Sequence, residues 1–262
     1  MDDSRQRLSD RLVELRSRLA KRPAALAHLF SDLGLAGLAG EVLEHTGAIL
    51  LLSASEFPRA SYSCARAALE ASQDAIYLVA DARTYDRLGA LLRVFDLIDT
   101  AKLRSHFRAA QEALGLGALE EPKRSGDEII ADEARKWGEH STEGCRLLLS
   151  EWEEAKRRKP GALRHWSGLQ RTELLKQVET QIPELGPFYD TQMGIYKLLS
   201  MHSHPGFRYS SRSRSRNASG TLVLSSKPTD RFVPLVVCEA ATRLVLTALD
   251  RRDKFTFRAP AA

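Results

Sequence analysis

The stretch PRASYSCARAALEASQDAIYLVAD, residues 58–81, decides the fold class. Its apolar side chains recur three and four positions apart, as at Ala65, Leu69, Ile76 and Val79, and this spacing places them along one side of an α-helix. Pro58 suits the first turn of such a helix, where an amide hydrogen has no partner within the helix. The same spacing recurs along most of the chain, so the sequence predicts an all-α fold.

Helices are predicted in order along the chain, with one short region of different character. They cover residues 3–21, 36–54, 58–81, 84–114, 126–157, 171–181, 184–203 and 229–252. The segment GTLVLSS, residues 220–226, is β-like, and the alternation of Arg212, Arg214 and Arg216 suits an extended strand. We therefore expect a small β-hairpin or extended insertion near 207–226. Residues 1–55 are expected to form N-terminal helices, and residues 56–258 a helical bundle.

Composition favours a soluble protein of the cytoplasm. Hydrophobic residues make up 43% and charged residues 28% of the 262 positions, as in ordinary globular domains. The net charge of +5 is compatible with a nucleic-acid partner. Three cysteines without paired spacing indicate free thiols in a reducing compartment. The charged N-terminus has no signal-like region, and the most apolar run, GAILLLSA (47–54), is too short to span a bilayer, so no membrane association is expected.

A polar stripe interrupts the apolar character of the helix that begins at Pro58. Tyr62, Arg66 and Glu70 stand four residues apart and therefore share one face. An arginine that precedes a glutamate by four residues is the weaker orientation for a surface pair. The stripe is therefore either a structural ion pair or part of a functional site.

The helix end YKLLSMHSHPGFR, residues 196–208, carries the second candidate constellation. Tyr196, Ser200 and His204 share one face, whereas His202 lies on a mostly apolar one and is expected at the edge of the core. Pro205 places His204 at or just past the helix end. Because the two histidines point in different directions, we expect no zinc site, and no cofactor is expected. His204 either caps the helix or acts as a reactive group.

Arginines follow this helix end at a spacing that suits phosphate binding. In an extended chain, side chains at even positions lie on one face, and guanidinium groups in a row repel one another unless they meet anions such as phosphates. The alternative is a solvated basic loop. The residues concerned are Arg208, Arg212, Arg214 and Arg216.

Three stretches together resemble a known group of proteins: CARAALEASQDAIYL (64–78), HWSGL (165–169) and FYDTQMGIYKLLSMHSH (188–204). They resemble a family of largely uncharacterised helical domains that share an Arg-x-x-x-Glu helix, a Trp-x-Gly segment and a Tyr…Leu-Ser…His helix end. That family in turn resembles the HEPN superfamily of all-α domains. The resemblance covers about residues 57–250 and implies a HEPN-like helical bundle.

Many HEPN proteins are metal-independent ribonucleases of toxin–antitoxin and antiviral defence systems. The resemblance therefore implies a protein that acts on RNA, with His204 transferring a proton, Arg66 stabilising charge on the phosphate and Glu70 holding Arg66. Arg208 would be a further cation, and a homodimer is implied because HEPN sites often form where two copies meet. Tyr62, Tyr196, Ser200 and His202 would support this site.

The chain departs from the superfamily at one position. Active HEPN nucleases usually carry an Arg-x(4–6)-His pattern on a late helix, and at that place this chain has Lys197-x4-His202. Lysine lacks the bidentate fork of arginine. The alternative function is therefore a non-catalytic helical module that binds nucleic acid, a nucleotide or a protein partner.

Overall fold

A computed structural model of the chain describes residues 2–21, 29–52, 58–114, 124–138, 142–157, 165–203, 214–216, 222–224 and 232–255. These residues are almost entirely helical, which confirms the all-α prediction. They form nine α-helices: α1 (Asp2–Ala20), α2 (Leu29–Leu52), α3 (Pro58–Leu78), α4 (Tyr85–Ala113), α5 (Gly126–Gly138), α6 (Thr142–Arg157), α7 (Arg171–Gln181), α8 (Phe188–Ser203) and α9 (Phe232–Asp253). A 3-10 turn, Pro183–Leu185, lies between α7 and α8.

Two three-residue strands lie between α8 and α9. Strand β1 (Arg214–Arg216) pairs antiparallel with β2 (Leu222–Leu224), with Arg214 opposite Leu224 and Arg216 opposite Leu222. Both strands fall inside the range 207–226, where the sequence predicts a hairpin or extended insertion. The remaining residues of that range lie outside the described part of the chain, so the insertion as a whole stays a prediction.

The single helix predicted over 126–157 is wrong, because two helices, α5 and α6, occupy this range. Helix α5 begins with a capping box, in which the Glu128 amide donates to the Ser125 hydroxyl and the Ser125 amide donates to the Glu128 carboxylate. It ends at Gly138, a residue of low helix propensity. The two helices then pack against each other, with Ile130 and Leu148 in one core cluster.

The chain divides into two compact units, and the first comprises residues 1–22, 36–82 and 175–262. In this unit α3 packs against α8 and α9, and α9 also packs against α1. Every residue from Ala71 to Ala80 is buried. Helix α3 is therefore the central helix of the first unit, and a polar group on it needs a partner inside the fold.

The second unit comprises residues 23–35 and 83–174 and is built around α4, α5 and α6. Its core cluster contains Phe30, Val94, Ile130, Ala134, Leu148 and Ala155. Glu133 is only 5% exposed, and one of its oxygens accepts hydrogen bonds from Arg93 Nε at 2.8 Å, an Arg93 terminal nitrogen at 2.6 Å and the Trp137 indole at 2.8 Å. This buried carboxylate is thus compensated by three donors.

The HWSGL segment forms a tight turn in the second unit. Trp166 is 3% exposed and anchors the turn in the core. The Gly168 amide donates to the His165 carbonyl at 2.9 Å, and Gly168 has a φ of 72°, the left-handed region that favours glycine. The Trp-x-Gly pattern therefore has a direct structural cause. The buried indole holds the turn in the core, and the glycine adopts the left-handed backbone conformation that the turn requires.

Two helical segments, Phe30–Leu52 and Phe232–Asp253, are long and apolar enough to cross a membrane by length and composition. The apolar run that begins at residue 47 is only the last part of the first of these segments, which is much longer than the run itself. The core helix of a soluble protein passes the same test, and 33% and 56% of the most apolar windows of the two segments are buried inside the protein.

Cytoplasmic localisation, the homodimer and the domain boundary near residue 55 stay predictions.

Candidate functional site

The predicted Arg66–Glu70 stripe forms an ion pair on α3. Arg66 Nε donates to Glu70 Oε1 at 2.9 Å. The Arg66 side chain is 25% exposed and that of Glu70 32% exposed. The pair therefore lies at the edge of the first unit, where its charges are partly shielded from water and still reachable from it.

Tyr196 on α8 completes this cluster. A terminal nitrogen of Arg66 donates to the Tyr196 hydroxyl at 2.7 Å, across 130 positions of sequence. The guanidinium carbon also lies 4.8 Å from the centre of the Tyr196 ring, within the range of a cation–π interaction. The structure thus brings together three of the residues proposed from sequence, and we call Arg66, Glu70 and Tyr196 the arginine cluster.

The surroundings of Arg66 keep its guanidinium charged. Burial by itself lowers the pKa of Arg66, but the hydrogen bond and charge of Glu70, followed by those of Tyr196, raise it above its ordinary value. An arginine is already protonated at every physiological pH, so the raised pKa does not change the charge of Arg66. What Glu70 and Tyr196 determine is the orientation of its guanidinium group. The guanidinium is held in a fixed orientation by the Glu70 carboxylate on its own helix, α3, and by the Tyr196 hydroxyl on α8.

A second contact fixes the relative direction of α3 and α8. Gln73 donates from Nε2 to Gln192 Oε1 at 3.0 Å, and both residues are buried. The later residue of α3 meets the earlier residue of α8, whereas Arg66 meets Tyr196. The two helices are therefore antiparallel, and α8 ends, at Ser203, towards the N-terminal end of α3.

Sequence reasoning missed Gln73 and Gln192, although a signal for each was present. Gln192 precedes Tyr196 by one helical turn, and Gln73 follows Arg66 by two turns, so both extend the polar stripes already noted. Extending each stripe along its helix would have found them. Both are structural residues here, because they are buried and hydrogen-bond each other.

Among the other proposed residues, only the Tyr62 side chain lies within the described part of the chain. Tyr62 lies one turn before Arg66 and is only 2% exposed. Ser200 and His202 belong to the last turn of α8, and Arg214 and Arg216 to β1, but their side chains are outside what the structure describes. His204, Arg208 and Arg212 lie outside the described residues altogether. Their roles stay predictions.

The chemistry that the arginine cluster offers is that of anion recognition. An arginine fork matches the oxygens of a phosphate or carboxylate. Within the described ranges, no group of three or more histidine, cysteine, aspartate or glutamate side chains is arranged to hold a metal ion. The sequence-based expectation of a site that needs neither metal nor cofactor stays a prediction.

Comparison with known proteins places the chain in a family. Residues 32–220 match the model of a family described as a family of unknown function, DUF5677. No curated protein and no solved structure matches the chain. The matched range contains Arg66, Glu70 and Tyr196, and the resemblance to the HEPN superfamily is not part of this match. Because the match covers more than two thirds of the 262 residues, the chain belongs to the family DUF5677.

Proposed function

We propose that this protein acts on RNA as a HEPN-like, metal-independent ribonuclease whose site includes the arginine cluster. The observation that carries the proposal is the state of Arg66. Its guanidinium is oriented by Glu70 and Tyr196, and the side chain that carries it is one quarter exposed at the edge of the first unit. A charged group that is fixed in advance and reachable from solvent is what the stabilisation of a transition-state anion requires.

In this proposal Arg66 binds the non-bridging oxygens of the scissile phosphate. Negative charge on these oxygens grows when the neighbouring 2′-hydroxyl attacks the phosphorus, and a fixed guanidinium interacts with the growing charge more strongly than mobile water does. Glu70 is a positioning residue, since its carboxylate accepts from Arg66 Nε at 2.9 Å. Tyr196 positions the same guanidinium from α8.

Proton transfer is assigned to His204, the residue that follows the last residue of α8 in sequence. A histidine has an ordinary pKa of about 6.5, so it exchanges protons near neutrality. It would accept the proton of the 2′-hydroxyl as the new oxygen–phosphorus bond forms, and return it to the 5′-oxygen as the old bond breaks. The products are a cyclic 2′,3′-phosphate end and a free 5′-hydroxyl. In the antiparallel pair, α8 passes Arg66 at Tyr196 and continues towards the N-terminal end of α3, and His204 follows Tyr196 by eight positions in the sequence.

The alternative is a non-catalytic helical module that binds nucleic acid, a nucleotide or a protein partner. It is favoured by the Lys197-x4-His202 departure, because Lys197 is exposed on α8 and carries a point charge without a fork. Under this alternative, the contact between Arg66 and Tyr196 holds α3 and α8 together and does nothing else. Two measurements separate the alternatives.

The first measurement is cleavage of a fluorescent single-stranded RNA in EDTA by the full chain. We expect the cyclic-phosphate product, and a loss of about 100-fold or more in His204→Ala, which removes the general acid–base, and in Arg66→Met. Arg243→Met is the matched control, because Arg243 forms an ion pair with a glutamate four residues away, Glu239, on α9. Absence of cleavage, or equal rates in His204→Ala and the unaltered protein, would rule out the ribonuclease.

The second measurement is RNA binding as a function of salt. If Arg212, Arg214 and Arg216 contact phosphates, neutralising them together lowers the affinity and flattens its dependence on salt. Salt-dependent binding without cleavage would establish the binding module instead. Binding that is indifferent both to salt and to these arginines would exclude RNA as the ligand.

A further inference from the structure

The C-terminal half of α4 carries an exposed apolar stripe. Leu103, Phe107 and Leu114 are 64%, 62% and 71% exposed. Ala110, which lies between them on the same side of the helix, is also exposed. The Leu114 amide donates to the Ala110 carbonyl at 3.0 Å, so the helical geometry extends to Leu114. Single exposed apolar residues are common on protein surfaces, but a contiguous exposed patch of large ones indicates an interaction surface.

The spacing of this stripe is that of a coiled-coil seam. Its four positions are separated by four, three and four residues, which is the spacing of the a and d positions of a heptad. At a rise of 1.5 Å per residue, the stripe is about 17 Å long. Small ligands bind in concave pockets, whereas a ridge of a and d side chains packs against a second helix. The partner that fits the stripe is therefore a helix with apolar residues at the same spacing.

The stripe is complementary to itself when two copies meet antiparallel about a two-fold axis. With the axis between residues 108 and 109, Leu103 of one copy lies opposite Leu114 of the other, and Phe107 lies opposite Ala110. Each large ring then faces a small side chain, and such pairs interdigitate well. A two-fold axis repeats every contact, so both Phe107 rings are accommodated. In a parallel pair, the two Phe107 rings would instead face each other.

The residues that flank the stripe oppose no two like charges in this antiparallel pair. Arg104 and Gln111 occupy e positions of the heptad, and His106 and Ala113 occupy g positions. In an antiparallel pair, e positions face e positions and g positions face g positions. Arg104 therefore lies next to Gln111 of the second copy, and His106 lies next to Ala113 of the second copy. The helix dipoles also run in opposite directions.

We propose that the stripe of Leu103, Phe107, Ala110 and Leu114 is a self-association surface, at which two copies of the chain pair through antiparallel α4 helices. Each copy contributes three large apolar side chains, fewer than a permanent dimer interface buries. We therefore expect a reversible dimer with a micromolar dissociation constant. The proposal does not rest on the proposed function, because α4 belongs to the second unit and the arginine cluster to the first.

The first test is sedimentation equilibrium of the full chain over a series of micromolar concentrations. We expect Phe107→Glu to weaken the dimer by about tenfold or more, because the two-fold axis introduces the charge into the apolar seam twice. Val13→Glu is the matched control, since Val13 on α1 is 65% exposed and the change in net charge is the same. Both substitutions are at exposed positions, so circular dichroism should show folded proteins, and the control should dimerise as the unaltered chain does.

The second test measures the direction of the two helices by disulfide cross-linking. Leu103→Cys and Leu114→Cys are prepared as separate variants, mixed and oxidised with diamide, and the linked peptides are identified by mass spectrometry. We expect the introduced thiols to link position 103 of one copy to position 114 of the other, and each variant alone to cross-link much less. The native cysteines, Cys64, Cys145 and Cys238, are recognised by their own peptides.

Each outcome decides the proposal. A dimer that Phe107→Glu weakens and Val13→Glu leaves intact, with positions 103 and 114 linked, supports it. A chain that is monomeric at every concentration overturns it and assigns the stripe to a different partner. A dimer that Phe107→Glu leaves unchanged also overturns it, because the two copies would then meet at another surface, as would links that join position 103 mainly to position 103 of the second copy.

Discussion

Replacing Tyr196 by phenylalanine tests the arginine cluster most directly. The substitution keeps the aromatic ring, and with it the 4.8 Å cation–π contact to Arg66. It removes only the hydroxyl that accepts a hydrogen bond from Arg66 at 2.7 Å. The effect on the free energy of unfolding therefore reports one interaction between α3 and α8.

The expected magnitude follows from burial. A hydrogen bond to a charged group contributes about 1.5 to 3 kcal/mol when its partners are shielded from water. The Arg66 side chain is 25% exposed, so water replaces part of the lost interaction and the expected loss falls to about 1 kcal/mol. Tyr189→Phe, on the same helix, should change stability by less than about 0.5 kcal/mol, because no hydrogen bond joins its hydroxyl to a described residue.

A double-mutant cycle with Arg66→Met isolates the pair. Methionine keeps much of the aliphatic stem of Arg66 and removes its charge, and the cycle cancels the separate cost of leaving Glu70 without its partner. Urea denaturation of the four proteins, followed by circular dichroism, gives the coupling energy, which we expect to be about 1 kcal/mol. A coupling no larger than the additivity error, about 0.3 to 0.5 kcal/mol, would refute the contact between Arg66 and Tyr196.

Three further predictions concern the two cores. Glu133→Gln should cost about 2 to 4 kcal/mol in urea denaturation because a buried carboxylate with three donors loses its charge, whereas Glu143→Gln, at an exposed ion pair, should leave the free energy of unfolding nearly unchanged. Gly89→Ala should lower the thermal midpoint, since its added methyl would overlap atoms of Ser31 on α2; Gly37→Ala, whose added methyl has no described atom within 4 Å, should raise it. Burial raises the pKa of Cys238 from 9.0 to about 12, so its contribution to stability is complete below pH 9 and falls as the pH rises towards 12. Mass spectrometry should find Cys238 unmodified by iodoacetamide at pH 9 in the folded protein; labelling there would contradict the burial.

Helix positions were predictable where local signals and packing agree. Helix α3 begins at Pro58, as its sequence predicts, because proline suits a first helical turn. The break between α5 and α6 was missed although Gly138, a residue of low helix propensity, marks the end of α5. The packing of α5 against α6, with Ile130 and Leu148 in one core cluster, is a tertiary contact that local signals do not show.

The border between the two units was also not predictable from the sequence. Helix α2 is one continuous helix, yet residues 29–35 belong to the second unit and residues 36–52 to the first. The glycine-rich stretch GLAGLAG, residues 34–40, spans that border, but it lies within a continuous helix and not in a linker. Domain boundaries are ordinarily read from linkers, and a border that passes through a helix has none.

Helical periodicity predicts some contacts of the arginine cluster and not others. The spacing of Arg66 and Glu70 predicts their contact, because both lie on one helix. The spacing of residues on α8 predicts a polar stripe but not the direction in which that stripe points. That direction follows from a further physical constraint: α3 is buried on most sides, so its polar residues must meet polar partners. Two of them, Arg66 and Gln73, hydrogen-bond to Tyr196 and Gln192, which lie on one stripe of α8.

The exposure of the side chains distinguishes the structural contact between α3 and α8 from the contact that is a candidate for function. Gln73 and Gln192 are 0% and 8% exposed, so their hydrogen bond serves only to join the helices. The side chains of Arg66 and Glu70 are 25% and 32% exposed. An oriented charge on a partly exposed side chain can interact with a ligand from solvent, whereas a buried amide cannot. For this reason the ribonuclease proposal rests on Arg66, and the loss of RNA cleavage without a matching loss of stability in Arg66→Lys would distinguish a catalytic guanidinium from one that only joins two helices.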